Sequence, residues 1–465
     1  MKNYDVIIVG AGTAGTPAAL EAAARGLSVA LIEAADEIGG TLHLSTASIS
    51  AAGTSIQARN GIADSADAHF ADYQRINHGT GHPGLVRSWI DEAAETIEWL
   101  ISMGWSANGD TAVLAPEHDL YTIARTYRSN GLGLGVIDIF RNALEEAIAK
   151  GDKIDIRTGT RFTALTFVDG AVRGIRAICD GEELEFAAKA VILATGGFTG
   201  SAEKWQEFHG LNPLRYGLPT VVGDGIDAVR AAGGTTWFDD FCLPAFGGTR
   251  DIGGPPSAWI HSLMLPALRQ PWEIYVNLAG ERFMAEDEPQ IFKRELAIRS
   301  QPEWGFWVVY DDGIRNASPP FLKLDSAVQD EKFSGNDPDF VRADTIDQLA
   351  REMDVPVAAL SQSIALYNQG QAVGSDMLGR THMPMPIAQG PFYAVRHFGF
   401  TISSYPGIRV NEDLAVVRGD DTPIEGLYAV GEAIGIGFLG LGFLSGSIVS
   451  SAITFGRRIG RSVLA

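Results

Sequence analysis

The most constraining feature of the sequence is a strand, a glycine-rich turn, a helix and a second strand in direct succession near the N-terminus. A short β-branched run, residues 4–9, leads into the glycine-rich turn of residues 10–15. The alanine-rich residues 16–25 predict a helix that ends at a glycine, and residues 27–32 predict a second strand. The segment is therefore predicted to form a complete βαβ unit, which implies an α/β fold with a parallel sheet.

The turn has the spacing of a dinucleotide-binding fingerprint. Gly10 allows the tight turn, Gly12 lets a pyrophosphate approach the backbone, and Gly15 lets the helix pack against the strand. The N–H groups at the start of the helix can bind the phosphates. Glu33, eighteen residues after Gly15, follows the second strand and can accept hydrogen bonds from ribose hydroxyls. The unit is therefore predicted to bind a dinucleotide.

Charge and cysteine content narrow the classes of partner. The 465 residues include 36 Lys plus Arg and 57 Asp plus Glu, which gives a formal net charge of −21. No nucleic acid partner is expected, because phosphate backbones are bound mainly by clustered Lys and Arg side chains. The two cysteines, Cys179 and Cys242, lack the spacing of a metal or redox motif. No metal site and no iron–sulfur cluster of its own are therefore predicted.

Two segments bear on the location of the protein. Residues 1–9 contain one lysine, an acid and a short apolar run, which is not typical of a secretory leader. Residues 433–456 carry no charge and are long enough to cross a bilayer, but they are rich in glycine and serine. This stretch is instead predicted to pack closely against a large buried ligand. A cytoplasmic protein without a membrane span is expected.

The rest of the chain is predicted to contain an insertion between two parts of the nucleotide-binding domain. Residues 190–197 form an apolar strand that runs into paired glycines, as expected of a buried parallel strand. Aromatic residues and prolines cluster in the insertion, which is typical of a cap that closes over a substrate. The predicted domains are 1–234 and 393–465 for nucleotide binding, and 235–392 for the cap.

Two further patterns receive plainer interpretations. The stretch from Gly131 to Gly135 lacks a preceding strand, so it is predicted to be a flexible approach to a helix rather than a second nucleotide site. The acidic run from Glu286 to Glu288 is predicted to be a solvated turn of the cap.

Four motifs occur in an order that resembles the fumarate reductase and succinate dehydrogenase flavoprotein superfamily, including its 3-ketosteroid dehydrogenase branch. They are the βαβ unit, Ala194-Thr195-Gly196-Gly197, the segment from Val276 to Phe283, and the segment from Gly426 to Glu432. The resemblance covers the whole chain and implies bound FAD. It implies a Rossmann-like, glutathione-reductase-type FAD-binding domain interrupted by an α+β capping domain. It also implies hydride transfer between flavin N5 and one carbon of a C–C bond, with proton transfer at the adjacent carbon.

The resemblance assigns the residues that contact FAD. Gly10, Gly12, Gly15 and Glu33 match the adenosine and pyrophosphate contacts. The other assigned positions are Gly40, Thr41 and Ser45 beside the flavin, Thr195 and Gly196 at a second strand end, Asp224 at the start of a predicted helix, Glu432 near the ribityl chain, and Ser447 and Ile448 beneath the pyrimidine edge. Thr41 stands where succinate dehydrogenases attach FAD through a histidine, so noncovalent FAD is expected, although His43 lies nearby.

Three positions depart from the fumarate reductase pattern. Gln290 stands where that branch has a proton-donating arginine, Ser403 lies near the position of a carboxylate-binding histidine, and Phe443 replaces a late arginine. A dicarboxylate bound without these groups would lose its charge-assisted hydrogen bonds. Fumarate and succinate are therefore not expected as substrates.

The ketosteroid branch implies a different chemistry. By resemblance, Gly446 lies where a backbone N–H polarises a substrate ketone, and a glycine at the start of an apolar helix suits that role. The tyrosines of that branch are not kept, because Gly442 and Gln290 stand in their places. The base that removes the α-proton must therefore come from elsewhere in the chain.

Three tyrosines are candidates for this base: Tyr405, Tyr121 and Tyr127. Arg125 and Arg128 flank Tyr127, and a nearby cation would lower the pKa of its phenol. Either arginine could instead bind a single substrate carboxylate or form a surface salt bridge.

The sequence thus predicts an FAD-dependent dehydrogenase that introduces a C=C bond next to the carbonyl of a cyclic ketone or keto acid, such as a ketosteroid or an oxocyclohexanecarboxylate. An enone or enoate reductase that runs the same site in reverse is one alternative, since sequence does not set the flavin potential. A flavoprotein electron-transfer subunit is an alternative of another class. The expected electron acceptor is a quinone, another protein or oxygen, and the oligomeric state stays open.

Overall fold

A computed structural model describes residues 2–250, 258–259, 262–335, 337–442 and 444–465. Phe443, one of the three departures from the fumarate reductase pattern, lies outside these residues. The chain divides into two compact units. Unit 1 comprises Met1–Gly210, Gly217–Cys242 and Ser403–Ala465, and unit 2 comprises Leu211–Tyr216 and Leu243–Ile402.

The strands of the described residues are β1 (Lys2–Val9), β2 (Val29–Ile32), β3 (Ile49–Ser50), β4 (Thr126–Tyr127), β5 (Ile154–Arg157), β6 (Thr160–Val168), β7 (Ala171–Cys179), β8 (Glu182–Leu193), β9 (Leu214–Arg215), β10 (Thr236–Trp237), β11 (Ala245–Arg250), β12 (Ala258–Trp259), β13 (Ile274–Asn277), β14 (Gly305–Asp311), β15 (Phe340–Ala343), β16 (Phe392–Thr401), β17 (Gly407–Ile408), β18 (Ala415–Val417) and β19 (Pro423–Ala429).

The α-helices of the described residues are α1 (Gly15–Ala24), α2 (Ser55–Arg59), α3 (Ala66–Ile76), α4 (Pro83–Ser102), α5 (Leu132–Lys150), α6 (Ala202–His209), α7 (Asp224–Ala231), α8 (Ile291–Arg299), α9 (Asp312–Ala317), α10 (Ser326–Ser334), α11 (Ile346–Glu352), α12 (Val357–Val373) and α13 (Ser447–Ser462). A short 3₁₀ helix spans Gly40–Leu44.

Unit 1 is built on an eight-stranded sheet whose central order is β18-β19-β8-β1-β2-β5. The pairs β19–β8, β8–β1, β1–β2 and β2–β5 are all parallel, and β6 and β7 extend the sheet in antiparallel fashion. Val6, Ile7 and Ile8 of β1 are fully buried, as expected of a central parallel strand covered on both faces. The predicted α/β fold with a parallel sheet is confirmed.

Helices α1 and α13 pack together at backbone distance. A Cβ added to Gly456 would lie 2.2 Å from the carbonyl oxygen of Ala14, and one added to Gly460 would lie 2.6 Å from that of Ala18. Side chains at these two positions would push the helices apart. The close packing fixes α1, and with it the glycine-rich turn, against the C-terminal helix of the same unit.

Unit 2 contains a sheet ordered β12-β11-β16-β14-β13, with β15 and β9 also paired to β16. All pairs are antiparallel except β9–β16. Helices α8 to α12 accompany this sheet in sequence, so the unit has the α+β character predicted for the cap. The boundaries at 234 and 392, and the assignment of this unit as a cap over a substrate, stay predictions.

A buried ion cluster lies inside unit 2. The carboxylate of Glu286 is fully buried and accepts hydrogen bonds from Arg282 at 2.7 and 2.9 Å and from Arg380 at 3.1 Å. Arg282 also pairs with Asp376 at 2.6 Å. The prediction of a solvated turn is therefore wrong for Glu286, because Arg282, four residues away, and Arg380, 94 residues away, enclose its carboxylate. No helix among the described residues is long and apolar enough to span a bilayer.

Candidate functional site

Four parallel strands of unit 1 end side by side. Val9 at the end of β1 is paired with Ile32 of β2 and with Leu193 of β8, and Leu193 is paired with Ala429 of β19. The loops that follow these strand ends therefore meet at one edge of the sheet, which is where open α/β sheets bind their ligands. The sequence-predicted cofactor residues lie in these loops and in the segments packed on them.

Two glycines of the turn after β1 are required by the protein itself. Gly10 has a φ of +105°, and a Cβ added there would lie 2.2 Å from the carbonyl oxygen of Ala194. A Cβ on Gly15 would lie 1.8 Å from the carbonyl oxygen of Gly10. These contacts hold the end of β1, the end of β8 and the start of α1 together at backbone distance.

Gly12 differs from its two neighbours in the motif. A Cβ added to Gly12 would be at least 3.7 Å from the nearest protein atom, which is Cα of Gly40. The N-cap of α1, Ala14, supplies no side-chain hydrogen bond to the first N–H groups of the helix. The N–H of Thr16 donates to the carbonyl of Gly12 at 3.2 Å and Pro17 has no N–H, so the turn offers a phosphate group chiefly the open space at Gly12. These features fit the pyrophosphate of a dinucleotide.

Glu33 directly follows β2 and lies beside the same turn. Its carboxylate accepts hydrogen bonds from the backbone N–H groups of Ala11 at 2.8 Å and Ala35 at 2.9 Å. The residue is buried, with 8% of its surface exposed. These bonds fix the carboxylate next to the glycine-rich turn, in the position expected for a ribose contact.

The segment from Gly39 to Ser45 packs against the turn. The N–H of Gly39 donates to the carbonyl of Ala11 at 2.9 Å. The N–H of Gly133 donates to the carbonyl of Ser45 at 3.0 Å, and a Cβ on Gly133 would lie 1.8 Å from the carbonyl oxygen of Leu42. The prediction of a flexible approach is therefore wrong for residues 131–135. They form the tightly packed start of α5, which supports Gly40, Thr41 and Ser45.

A second group of loops follows β8. Thr195 and Gly196 come directly after the strand end, and Gly196 has a φ of +71°. A Cβ on Gly225 would lie 2.4 Å from Oγ1 of Thr195, so the start of α7 packs closely on this loop. Asp224, the first residue of α7, pairs with Arg161 at 2.8 Å, and burial raises the pKa of its carboxyl group. These residues lie together beside the loop that follows β8.

Glu432 follows β19 and is hydrogen-bonded within the same region. Its Oε1 accepts from the N–H of Ser404 at 2.8 Å and from the Ser404 hydroxyl at 3.0 Å. Burial raises the pKa of Glu432 to about 6, against the effect of these two hydrogen bonds. A Cβ on Gly197 would lie 1.7 Å from the Ser404 hydroxyl oxygen and 2.5 Å from Oε1 of Glu432, so the loops after β8 and β19 touch at this point.

The start of α13 lies on the short strand β3. Gly446 is the N-cap residue with a φ of +88°, and a Cβ there would lie 2.7 Å from the backbone of Ile49. The N–H of Ser50 donates to the carbonyl of Gly446 at 3.2 Å. The hydroxyl of Ser447 donates to the carbonyl of Leu444 at 2.7 Å. No side chain caps the first turn of this helix.

The comparisons with known proteins agree with this geometry. The sequence matches the family model described as FAD binding domain over residues 5–449. The chain belongs to the FAD binding domain family. This flavoprotein is 29% identical over 476 residues to the NADH:fumarate oxidoreductase of Klebsiella pneumoniae (strain 342). That match covers 99% of this chain and 47% of the Klebsiella protein, so the chain spans about half of that relative's length.

Two solved structures resemble this flavoprotein over nearly its whole length. The open conformation of a flavocytochrome c3 fumarate reductase has a TM-score of 0.76 at 27% identity and covers 99% of this chain and 78% of its own. The 3-ketosteroid Δ1-dehydrogenase of Sterolibacterium denitrificans has a TM-score of 0.81 at 21% identity, covers 99% of each chain and shows the shared fold. These matches confirm the predicted superfamily, fold class and cofactor: the protein is an FAD-dependent oxidoreductase whose relatives include fumarate reductases. The individual FAD contacts and noncovalent attachment stay predictions.

The tyrosine and arginine proposed for catalysis are deeply buried in unit 1. Tyr127 is fully buried, and its hydroxyl lies 2.6 Å from Oγ1 of Thr54. Burial raises the pKa of Tyr127 well above its usual value, and this effect outweighs that of Arg125. The prediction that flanking arginines lower the pKa of this tyrosine is therefore wrong. Its role as the base stays a prediction without geometric support.

Arg125 is held inside the protein by two aspartates. Its guanidinium donates two hydrogen bonds of 2.8 Å to Asp64 and one of 3.0 Å to Asp72. All three side chains are at most 3% exposed. These bonds give Arg125 a structural role as an anchor inside unit 1. The predicted alternative of a surface salt bridge applies only to Arg128, which pairs with Glu117 at 2.6 Å. No sequence signal pointed to the two aspartates.

The remaining candidates are divided between the units. Tyr405 lies in unit 1, is 2% exposed, and its carbonyl accepts from the N–H of Gly437 at 3.0 Å. Ser403 is buried in the same loop. Gln290 is the N-cap residue of α8 in unit 2. Within the described ranges, no group of three or more His, Cys, Asp or Glu side chains could hold a metal ion.

Proposed function

We propose that the protein dehydrogenates the C–C bond next to the carbonyl of a cyclic ketone or keto acid. The observation that carries this proposal is the start of α13, where the positive-φ residue Gly446 lies against β3 and the first turn has no side-chain cap. Backbone N–H groups at a helix start can polarise a carbonyl oxygen and stabilise the negative charge that forms on it. FAD, when bound, supplies the hydride acceptor for the β-carbon.

Several features support a ketone over a dicarboxylate. Gln290 and Ser403 carry no positive charge, and both occupy positions where fumarate reductases bind or protonate their substrate. Arg125 uses three of its five N–H donors on Asp64 and Asp72, and the negative charges of these two buried aspartates oppose the approach of a substrate carboxylate. A substrate held mainly through its carbonyl oxygen and apolar ring needs none of these charges.

We propose Tyr405 as the base that removes the α-proton. Tyr405 lies on the loop that also carries Ser404, the partner of Glu432, and this loop adjoins the strand ends that carry the predicted cofactor residues. Tyr405→Phe should retain FAD and lower turnover at least about tenfold. If turnover stays unchanged, the tyrosine-base assignment is wrong.

The reverse reaction, reduction of an enone or enoate, is the second candidate. It is favoured by the relatives named above, an NADH:fumarate oxidoreductase and a fumarate reductase. Both directions would use the same helix start and the same cofactor. The electron partner, whether a quinone, another protein or oxygen, is also a proposal.

Anaerobic flavin spectroscopy tests the proposal directly. The oxidised protein is mixed with saturated cyclic ketones, cyclic keto acids and succinate, and the reduced protein is mixed with the matching enones, enoates and fumarate. Bleaching by a ketone or keto acid alone supports dehydrogenation. Reoxidation by an enone or enoate without bleaching supports the reductase. Bleaching by succinate, or reoxidation by fumarate alone, contradicts the proposed substrate class.

A further inference from the structure

A buried hydrogen-bonded chain in unit 1 ends at the backbone of Gly446. Nε2 of His69 lies 3.1 Å from the hydroxyl of Tyr121, and this hydroxyl donates to Oγ of Ser50 at 3.3 Å. The N–H of Ser50 in turn donates to the carbonyl of Gly446 at 3.2 Å. His69 and Ser50 are fully buried, and Tyr121 is 4% exposed. The function proposed above uses none of these three side chains.

Ser50 is the point where this chain meets helix α13. Besides the bond to Gly446, the carbonyl of Ser50 accepts from the hydroxyl of Ser450 at 2.7 Å. The hydroxyl of Ser450 also accepts from Nε1 of Trp89 at 2.9 Å. The backbone of Ser50 is therefore bonded to the N-cap and to the first turn of the helix. Its side-chain hydroxyl accepts the hydrogen bond from Tyr121.

The hydrogen-bonded chain of His69, Tyr121 and Ser50 carries no charge of its own. Burial, and then the charge of Arg125, lower the pKa of His69 well below its usual value, so the imidazole is neutral. Burial likewise raises the pKa of Tyr121, so the phenol keeps its proton. The Arg125 guanidinium lies 4.9 Å from the centre of the Tyr121 ring and is neutralised by Asp64 and Asp72.

Proton counting sets the direction of the chain. Tyr121 has a single hydroxyl proton, which it donates to Ser50, so its oxygen can only accept from His69. The imidazole must then carry its proton on Nε2. Nδ1 of His69 has no hydrogen-bond partner among the described residues. A buried polar atom without a hydrogen bond destabilises the folded state. The surrounding fold must therefore hold His69 in this arrangement.

We propose that His69 and Tyr121 are positioning residues that hold Ser50, and through it the Gly446 backbone, in the geometry that binds the substrate carbonyl. The inference rests on the proposed function of the α13 start. Small displacements of a catalytic donor lower turnover strongly, because the donor must match the position at which charge develops in the transition state. The hydrogen-bonded chain holds the donor at that position and does not itself contact the substrate.

Substitutions of the two residues separate hydrogen bonding from packing. Tyr121→Phe removes the hydroxyl and keeps the ring. His69→Gln retains an N–H donor of similar reach, whereas His69→Leu retains only the volume. Tyr4→Phe is the control, because it removes a hydroxyl that donates to Asp155 at 2.5 Å elsewhere in unit 1. FAD content and thermal midpoint are measured for every variant.

The first readout is amide hydrogen exchange in the FAD-loaded protein, followed by mass spectrometry of peptides that cover residues 444–450. Tyr121→Phe and His69→Leu should raise exchange in this segment, whereas His69→Gln and Tyr4→Phe should resemble the wild type. This measurement needs no substrate. Unchanged exchange in Tyr121→Phe would overturn the inference even if the proposed function holds.

The second readout is turnover of the compound that reacts fastest in the flavin assay. Tyr121→Phe and His69→Leu should lower kcat by about tenfold with a smaller change in KM, since the lost interaction acts mainly in the transition state. His69→Gln should recover most of the wild-type kcat. An equal loss in Tyr4→Phe would show that turnover follows general stability, and no recovery in His69→Gln would show that packing alone matters; either result overturns the inference. If no compound reacts, the proposed function fails, and the exchange data still decide the positioning.

Discussion

At the scale of single residues, the three glycines of the first turn serve two different purposes. Added Cβ atoms at Gly10 and Gly15 would overlap protein backbone, at 2.2 and 1.8 Å. An added Cβ at Gly12 would meet no protein atom within 3.6 Å, since its nearest neighbour lies at 3.7 Å. The fold therefore requires Gly10 and Gly15, and we propose that the cofactor requires Gly12.

This distinction leads to a prediction for Gly12→Ala. The FAD-free variant should unfold at nearly the wild-type midpoint, because the new methyl group has space. FAD binding should weaken by at least about tenfold, because the methyl group would meet the pyrophosphate. Thermal unfolding and FAD titration measure the two effects. Gly15→Ala is the control and should destabilise the FAD-free protein itself; equal behaviour of the two variants would contradict the assignment.

A second prediction concerns Glu432, whose pKa burial raises from 4.5 to about 6. The FAD-free folded protein thus binds this proton more tightly than the unfolded chain. The resulting stabilisation is present below the ordinary pKa and is lost as the pH rises through the folded pKa. Between about pH 4.5 and pH 7, the free energy of unfolding of the wild type should fall by about 1–2 kcal/mol relative to Glu432→Gln.

Urea unfolding of both FAD-free proteins across this pH range checks the prediction. Glu145→Gln, on the exposed surface of α5, should follow the wild-type pH dependence. Parallel curves for the wild type and Glu432→Gln would mean that this carboxyl group is not held as the structure shows.

At the scale of elements, the short strands β3 and β4 connect distant parts of unit 1. Ile49 is paired with Tyr127 and Ser50 with Thr126. The hydroxyl of Thr126 donates to the carbonyl of Ser445 at 3.1 Å, immediately before α13. Arg125 anchors β4 from its other end through Asp64 and Asp72. This two-stranded pair therefore determines where the C-terminal helix begins.

The element-scale prediction concerns this anchor. Arg125→Leu should lower the free energy of unfolding by about 3–5 kcal/mol, because it leaves the buried carboxylate of Asp64 without a cation and that of Asp72 with Arg75 alone. Arg128→Leu is the matched control: its partner Glu117 is 42% exposed, so the loss should be below about 1 kcal/mol. Denaturant unfolding measures both. Similar small losses in the two variants, with a raised KM only for Arg125→Leu, would restore a substrate-binding role for Arg125.

At the scale of the whole molecule, FAD-binding residues come from segments far apart in sequence. The turn after β1, the segment from Gly39 to Ser45, the loop after β8 and the start of α13 all belong to unit 1. A ligand that contacts all of them stabilises the folded state, because the unfolded chain cannot present them together.

We therefore expect FAD to stabilise the protein by mass action. At an FAD concentration of about 100 times Kd, the free energy of unfolding should rise by about 2.7 kcal/mol over the FAD-free protein. Thermal unfolding across a range of FAD concentrations measures the shift. The same titration with Gly12→Ala should require higher FAD concentrations for an equal shift. A midpoint independent of FAD would argue against binding across these segments.

Local patterns in the sequence were sufficient for the fold class and the cofactor. The βαβ unit from residues 4 to 33 is specified by periodicity, glycine spacing and a terminal acid, all of which act within about thirty residues. The apolar run before Thr195 likewise predicted a buried strand, and it lies in β8 beside β1. Such features can be read from sequence because neighbouring residues determine them.

Contacts between distant residues could be found only in the tertiary structure. Tyr127 was a candidate base and Arg125 a candidate for lowering its pKa or binding a substrate carboxylate, but Asp64, Asp72 and Thr54 enclose both residues. Glu286 looked solvated, but Arg380 reaches it from 94 residues away. Burial and long-range partners set the pKa values and hydrogen bonds on which a catalytic role depends. The sequence by itself determined an FAD-binding α/β protein, and only the folded chain decided which polar side chains remain available for chemistry.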